Sequence, residues 1–216
     1  MMKTENTVPA TDQMINSSEI SFLGYGNAPL RILVLGNSIT RHGPKAEIGW
    51  YGDYGMAASS ADKDYVHRLY AKLTESGRDV YMRIRQTARW ELDFPAGNYL
   101  SRFDGEKEFG ADFIIFRLGE NVKRPDWPVF CEAAKNLIDY VNSKCGKVLI
   151  TTCFWRNEVL DEALKGLADA NDFTLVDIGC KEDSLMALGL FEHSGVAAHP
   201  GDEGMEFIAN KIFEKI

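Results

Sequence analysis

The sequence lacks three features that mark common classes of binding protein. It has no basic excess: 24 Lys and Arg against 32 Asp and Glu give a net charge of −8, which argues against nucleic acid or an anionic membrane surface as a partner. It has no apolar run long enough to cross a membrane, and the opening MMKTENTVPATDQ contains no apolar signal-peptide core. We therefore expect a soluble protein, cytoplasmic as the sequence stands, or the mature form of an exported one.

Cysteine is also scarce and shows no metal-binding spacing. Cys131, Cys145, Cys153 and Cys180 form no C-x-x-C pair and have no histidine at ligand spacing, so we expect reduced thiols and no structural zinc. Two signatures are missing after the first buried strand: G-x-G-x-x-G is absent, and Thr40 stands where a G-x-S-x-G elbow needs glycine. We expect no metal and no organic cofactor.

What the sequence does contain is an alternation of strands and helices. Strand-like apolar runs occur at RILVLG, DVYMRIR, DFIIFRLG, KVLITTCF and FTLVDIG, with helical periodicity between most of them. This alternation implies right-handed crossovers, hence a mostly parallel sheet with helices on both faces. We predict one doubly wound α/β domain with about five strands over residues 29–216, preceded by an N-terminal extension, residues 1–28, that contains one candidate edge strand.

Polar residues follow the predicted strands at the edge where such sheets bind ligands. Ser38, in GNSIT, is either a nucleophile or a turn cap, and local sequence favours the cap. Asn121, in GENV, is either a donor to an oxyanion or a loop residue. His199, before the last predicted helix, is a candidate base, because a serine nucleophile needs a base whose pKa lies near 7.

The motifs GNSIT, GEN and HPGDEGM, in this order and spacing, resemble those of the SGNH (GDSL) hydrolase family from about residue 30 onward. The resemblance implies a flavodoxin-like three-layer αβα sandwich and the hydrolysis of esters, often acetyl or acyl groups on sugars and lipids. It implies that Ser38 is the nucleophile and His199 the base. It also implies an oxyanion hole formed by the Ser38 backbone N–H and the Asn121 side-chain amide.

Two departures from the family pattern concern the first and second motif blocks. Asn37 stands where the family usually has aspartate, which removes a charge. In the matching stretch RQTARWE, Ala88 or Arg89 occupies the place of a glycine whose N–H joins the oxyanion hole. A backbone donor survives a change of side chain when the backbone conformation is accessible, so we expect Ala88 to retain this role.

The third departure concerns the acid of the triad. Family members usually carry an aspartate three residues before the histidine, and here that position is Val196. One alternative is that Glu192 or Glu120 orients His199. The other is that a backbone carbonyl holds the Nδ1–H of His199, so that a Ser-His dyad operates.

Aromatic residues near these motifs suggest a substrate pocket. Trp50 and Tyr51, in GWYGDYGMAASS, are candidates for stacking on a sugar ring, with packing onto the core as the alternative. Asn37, Arg89 and Trp155 are further pocket candidates.

The function predicted from these residues is that of a serine esterase. We expect it to act through an acyl-enzyme on a small-molecule or carbohydrate ester, with an acetyl or short acyl group on a carbohydrate as the favoured substrate. The alternative is a catalytically impaired SGNH-fold carbohydrate-binding protein, because Val196 occupies the usual acid position. The sequence indicates no oligomeric state.

Overall fold

The computed structural model describes residues 19–96, 99–180 and 182–216, so most of the predicted N-terminal extension lies outside the described residues. Within them, six strands form one sheet in the order β1-β3-β2-β4-β5-β6. The first strand pairs antiparallel with the third, and all other pairings are parallel. The strands are β1 (Ile20–Leu23), β2 (Leu30–Gly36), β3 (Val80–Gln86), β4 (Phe113–Arg117), β5 (Lys147–Thr151) and β6 (Thr174–Val176).

Helices connect the strands and cover the sheet. None of the helices in the described part of the chain combines the length and apolar composition of a membrane span. Short 3-10 turns occur in several of the loops. The α-helices are α1 (Tyr65–Glu75), α2 (Ala88–Asp93), α3 (Asp104–Phe109), α4 (Trp127–Val141), α5 (Glu158–Asn171), α6 (Ser194–Ala197) and α7 (Asp202–Phe213).

The central strand β2 is apolar from Ile32 to Leu35 because both faces of the sheet are covered. Leu33 and Leu35 belong to one core cluster, which includes buried residues of α2 to α5. Ile32 and Val34 belong to the other cluster, which includes buried residues of α1 and α7. Alternate side chains of a strand point to opposite faces, so one continuous apolar run supplies two cores. The predicted fold class, a three-layer αβα sandwich with a mostly parallel sheet, is confirmed.

The register of the strands brings three loops together at one edge of the sheet. Gly36, the last residue of β2, lies opposite Gln86 of β3 and Arg117 of β4. The residues that follow these three positions therefore enter the same crevice, at the carboxyl ends of parallel strands. The backbone N–H of Thr87 donates to the carbonyl of Gly36 at 2.6 Å, which ties the start of α2 to the end of β2.

Candidate active site

Ser38 lies in a tight turn directly after β2. The N–H groups of Thr40 and Arg41 donate to the carbonyl of Asn37, at 2.9 and 3.0 Å. A Cβ atom built on Gly36 would lie 1.8 Å from Thr40 Oγ1, so this turn requires glycine there. Ser38 is half-buried, and its Oγ lies 2.8 Å from Nε2 of His199. The hydroxyl therefore faces an imidazole across the crevice.

His199 is held in a defined tautomer by a backbone carbonyl. Its Nδ1 lies 2.6 Å from the carbonyl oxygen of Gly195 in α6. A carbonyl oxygen only accepts hydrogen bonds, so Nδ1 carries the proton and Nε2 presents its lone pair to Ser38. The ring of Trp155 packs edge-on against the imidazole at 5.1 Å, and its Nε1 donates to the carbonyl of Ala198 at 2.9 Å. This arrangement can take a proton from the serine hydroxyl.

The carboxylates suggested as the orienting acid lie elsewhere. Glu120 binds the guanidinium of Arg117 and accepts the N–H of Phe154 at 3.0 Å, and Glu192 is exposed. The expectation that either one binds His199 Nδ1 is corrected, because the Gly195 carbonyl is the acceptor there.

Val196, at the position of the usual acid, is buried in a small apolar cluster beneath the loop that follows the Ser38 turn. An acid at this position would be buried among apolar side chains.

Burial lowers the pKa of His199 to about 4, and the charges of His42 and Arg117 act in the same direction. The hydrogen bond to Gly195 and the charge of Glu120 oppose this shift. The imidazole is therefore neutral at pH 7 and available as a base.

Two further strand ends bring the predicted oxyanion donors to this crevice. Asn121 follows β4, and its Nδ2 donates to Oε2 of Glu91 at 2.7 Å. Because that nitrogen carries two hydrogens, one N–H is left for another acceptor. Ala88 is the first residue of α2, so its backbone N–H belongs to the unpaired first turn of the helix.

A buried polar cluster, consisting of Asn37, Glu91, Arg117 and Glu120, lies beneath these groups. Arg117 is fully buried and donates two hydrogen bonds of 2.9 Å to Glu120. Asn37 accepts from Arg117 through Oδ1 and donates to Glu120 through Nδ2 at 2.7 Å. We call this group the site cluster. Arg117 was not among the residues predicted from the sequence, although a charged residue within the apolar strand FIIFR is a recognisable signal of a buried ion pair.

The predicted pocket residues fall into two groups. Trp50 is only 2% exposed, contacts Tyr54 edge-on, and donates from Nε1 to the carbonyl of His42 at 2.9 Å. It packs the loop onto the core, so the prediction that its ring stacks on a sugar is wrong. Tyr51, in contrast, is 74% exposed, and Trp155 is half-buried beside His199.

Arg89 is exposed and pairs with Asp93 at 3.5 Å. It lines a cavity of about 260 Å³ together with Thr87 and Trp90. Within the described ranges, no group of three or more His, Cys, Asp or Glu residues is arranged to hold a metal ion.

Comparison with solved structures identifies the fold. A family two carbohydrate esterase from Clostridium thermocellum, solved with cellohexaose, gives a TM-score of 0.58 at 14% identity, over 88% of this chain and 64% of that one. An acetyl xylan esterase, Est2A, from the rumen bacterium Butyrivibrio proteoclasticus gives 0.53 at 12% identity, over 87% of this chain and 63% of that one. A protein from Slackia heliotrinireducens, described as a proposed SGNH hydrolase, gives a TM-score of 0.55 at 16% identity, over 87% of this chain and 98% of that one.

These likenesses extend over most of this chain but only about two thirds of the two carbohydrate esterases. No protein-family model and no curated protein sequence matches the chain. At such low identity the likeness is one of architecture, and the fold of this protein is the SGNH hydrolase fold.

Proposed function

We propose that this SGNH-fold protein is a serine esterase that hydrolyses a carboxylic ester. Ser38 Oγ attacks the acyl carbonyl carbon while His199 Nε2 takes the hydroxyl proton. The tetrahedral oxyanion accepts hydrogen bonds from the Asn121 amide and from the backbone N–H groups of Ser38 and Ala88. His199 returns the proton to the leaving alcohol, which leaves an acyl-enzyme, and water then releases the acid by the same steps.

One observation carries the proposal: the hydrogen-bonded pair of Ser38 and His199, with the Gly195 carbonyl on the far side of the ring. A triad acid selects the histidine tautomer and stabilises the imidazolium. The carbonyl supplies the first effect through geometry and part of the second through its dipole. A Ser-His dyad supported in this way is therefore the mechanism we propose.

The favoured substrate is an acetyl or short acyl group on a carbohydrate. The solved structures with the same fold include esterases named for carbohydrate substrates, and the exposed Tyr51 offers a ring face for a sugar. We expect kcat/KM to be higher for acetylated xylo-oligosaccharides than for p-nitrophenyl esters of long-chain acids. A higher value for the long-chain esters would instead indicate a lipid substrate.

The reaction is tested by replacing the nucleophile. Ser38→Ala should lower kcat for p-nitrophenyl acetate by at least about ten-thousandfold, because the nucleophile and its base act as a unit. It should also abolish covalent labelling by a fluorophosphonate probe. Ser101→Ala, which removes an exposed serine hydroxyl from the 3-10 turn Leu100–Phe103, is the matched control and should leave both unchanged.

Absence of hydrolysis and of labelling in the folded wild-type protein would favour the alternative, a carbohydrate-binding protein with an impaired site. Hydrolysis that survives Ser38→Ala would contradict the mechanism itself.

A further inference from the structure

Glu91 is a buried carboxylate in direct contact with the proposed oxyanion donor. It lies in α2 and is completely buried. Its Oε1 accepts the backbone N–H of Gly119 at 2.6 Å, and its Oε2 accepts Nδ2 of Asn121 at 2.7 Å. The steps proposed for ester hydrolysis assign it no part, although burying a carboxylate is costly without compensation.

We propose that Glu91 is a positioning residue that determines which end of the Asn121 amide faces the reacting carbonyl. The inference rests on the proposed function, in which Asn121 donates to the oxyanion. An amide side chain has a donor nitrogen and an acceptor oxygen of nearly equal size, so packing distinguishes its two orientations poorly. An ionised carboxylate only accepts hydrogen bonds, so it selects the orientation in which Nδ2 faces Glu91.

The selected orientation matters because of the charge that develops in the transition state. With Nδ2 bound to Glu91, the second N–H of Asn121 remains available to the oxyanion. If the amide turned over, Oδ1 would occupy that position and place lone pairs beside a negative oxygen. One lost donor of this kind typically lowers kcat by about a hundred- to a thousandfold.

The loop after β4 fixes Glu91 in this role. Gly119 has a φ angle of +147°, and a Cβ atom there would lie 2.9 Å from Sγ of Cys153. Glycine therefore lets the chain present its N–H to Oε1 of Glu91. Because Oε1 accepts this N–H, Oε2 is the oxygen left to face Asn121.

Protonation of Glu91 should have the same effect as losing it. The charged groups that face it are Glu120 and Arg117, and Cys153 nearby stays a neutral thiol because burial raises its pKa. Burial and the charge of Glu120 raise the pKa of Glu91 to about 7, against the opposing effect of Asn121, Gly119 and Arg117. With Oε1 occupied, the added proton sits on Oε2 and turns it into a donor toward Asn121.

The experiment is a double-mutant cycle between Glu91 and Asn121. In Glu91→Gln the side-chain carbonyl oxygen of the new glutamine accepts the Gly119 N–H, so its NH₂ group faces Asn121. Two NH₂ groups cannot bind each other, so the Asn121 amide turns over and presents its Oδ1 to the glutamine. We expect kcat for p-nitrophenyl acetate to fall about a hundred- to a thousandfold, with KM within about twofold. In the Asn121→Ala background the same substitution should cost less than about threefold, because there is no amide left to orient.

Glu106→Gln is the matched control. It removes another fully buried carboxylate, which binds Arg83 and Arg85 and contacts none of the residues assigned to the chemistry. Its kcat per folded molecule should equal that of the wild type. An equal loss from Glu91→Gln in both backgrounds, or an unchanged kcat in the Glu91→Gln single variant, would overturn the proposal.

The wild-type protein provides a test that does not need the variant to fold. The acid limb of its kcat/KM profile should lie near pH 7, where Glu91 titrates, and not near pH 4, where His199 does. A limb near pH 7 that persists in Asn121→Ala would contradict the role of Glu91, because that variant has no amide to turn over.

If the wild-type protein neither hydrolyses the ester nor reacts with the fluorophosphonate, the proposed function is wrong, and the contact between Glu91 and Asn121 needs a separate test. The side-chain amide resonances of Asn121, assigned by their loss in Asn121→Ala, then test the contact. They should shift with a midpoint near pH 7 if Glu91 orients the amide, and a pH-independent signal would refute it.

Discussion

Two clusters of carboxylates and arginines in this fold differ in their balance of charge. The first, which we call the edge cluster, consists of Glu19, Arg83, Arg85 and Glu106. Arg83 and Arg85 of β3 each bind one oxygen of Glu106, at 2.7 and 3.2 Å, and Glu19 binds Arg85 at 2.9 Å. Two carboxylates therefore face two guanidinium groups, and the cluster is neutral as a whole.

The site cluster has two carboxylates and one guanidinium. Arg117 binds Glu120 directly, while Glu91 lies close enough for each of these charges to act on it. Asn37 bridges the two signs of charge, because its Oδ1 accepts from Arg117 and its Nδ2 donates to Glu120. One negative charge is left without a cation of its own within the cluster.

The difference shows what each arrangement can do. The edge cluster, in which the charges balance, links β3 to α3 and to Glu19, which directly precedes β1. In the site cluster, burial and the charge of Glu120 together raise the pKa of Glu91.

The largest effect on stability should come from removing one arginine from each cluster. Arg117→Met leaves Glu91 and Glu120 buried together, and we expect the free energy of unfolding at pH 8 to fall by about 3–5 kcal/mol. Arg83→Met leaves Glu106 bound to Arg85, so about 1–2 kcal/mol should be lost. Urea unfolding of both variants measures the difference. Equal losses would show that charge balance does not distinguish the two clusters.

A smaller effect should follow when the usual family residue is restored in the site cluster. Asn37→Asp adds a third carboxylate beside Glu120 and Glu91 and removes the donor that binds Glu120. We expect a loss of about 2 kcal/mol at pH 8, and a smaller loss at pH 5, where Glu91 is protonated.

Asn27→Asp is the control for this substitution, because Asn27 is exposed in a loop and its replacement should change stability by less than about 0.5 kcal/mol. Stabilisation by Asn37→Asp would mean that the cluster tolerates the extra charge, and that charge balance does not explain the asparagine at this position.

Local patterns in the sequence predicted the parts of this site that depend on strand ends. Because GNSIT and GEN each follow an apolar strand run, the sequence predicted that Ser38 and Asn121 enter one crevice. The place of His199 there, and the role of Ser38 as nucleophile, came from the resemblance to SGNH hydrolases. A parallel sheet brings its carboxyl ends to one edge, so the position of each motif after its strand carries spatial information.

The supporting contacts were not predictable in the same way. The acceptor for His199 Nδ1 is a backbone carbonyl, which every residue possesses and which therefore leaves no signature in the sequence. Glu91 binds groups 28 and 30 residues away along the chain. Whether a charged residue there is buried depends on how α2 packs against the loop after β4, which no local pattern reports.

Aromatic residues in the loop after the Ser38 turn show the same limitation. Trp50 and Tyr51 are adjacent, and the sequence suggested one role for both. The structure buries the first and exposes the second, because the indole Nε1 finds an acceptor in the His42 carbonyl within the loop. Composition indicates that aromatic residues are present, whereas their exposure depends on tertiary contacts.

The smallest effect we expect is a change in how stability depends on pH. In the folded protein the pKa of Glu91 is about 7, against an ordinary value of 4.5. Between these values the folded protein keeps a proton that the unfolded chain has released, so rising pH destabilises the wild type through this group. His199 has the opposite effect on stability: its pKa of about 4 in the folded state lies below the ordinary 6.5, so rising pH stabilises the folded protein through this group.

Glu91→Gln removes the first contribution and leaves the second, so the stability of the variant relative to the wild type should rise by about 1 kcal/mol from pH 5 to pH 6. Thermal unfolding of both proteins across this range measures the difference. A difference that stays constant with pH would mean that Glu91 is already ionised in the folded protein at pH 5. In that case the surplus negative charge of the site cluster would not raise the pKa of Glu91, and charge balance would not distinguish the two clusters by their pH dependence.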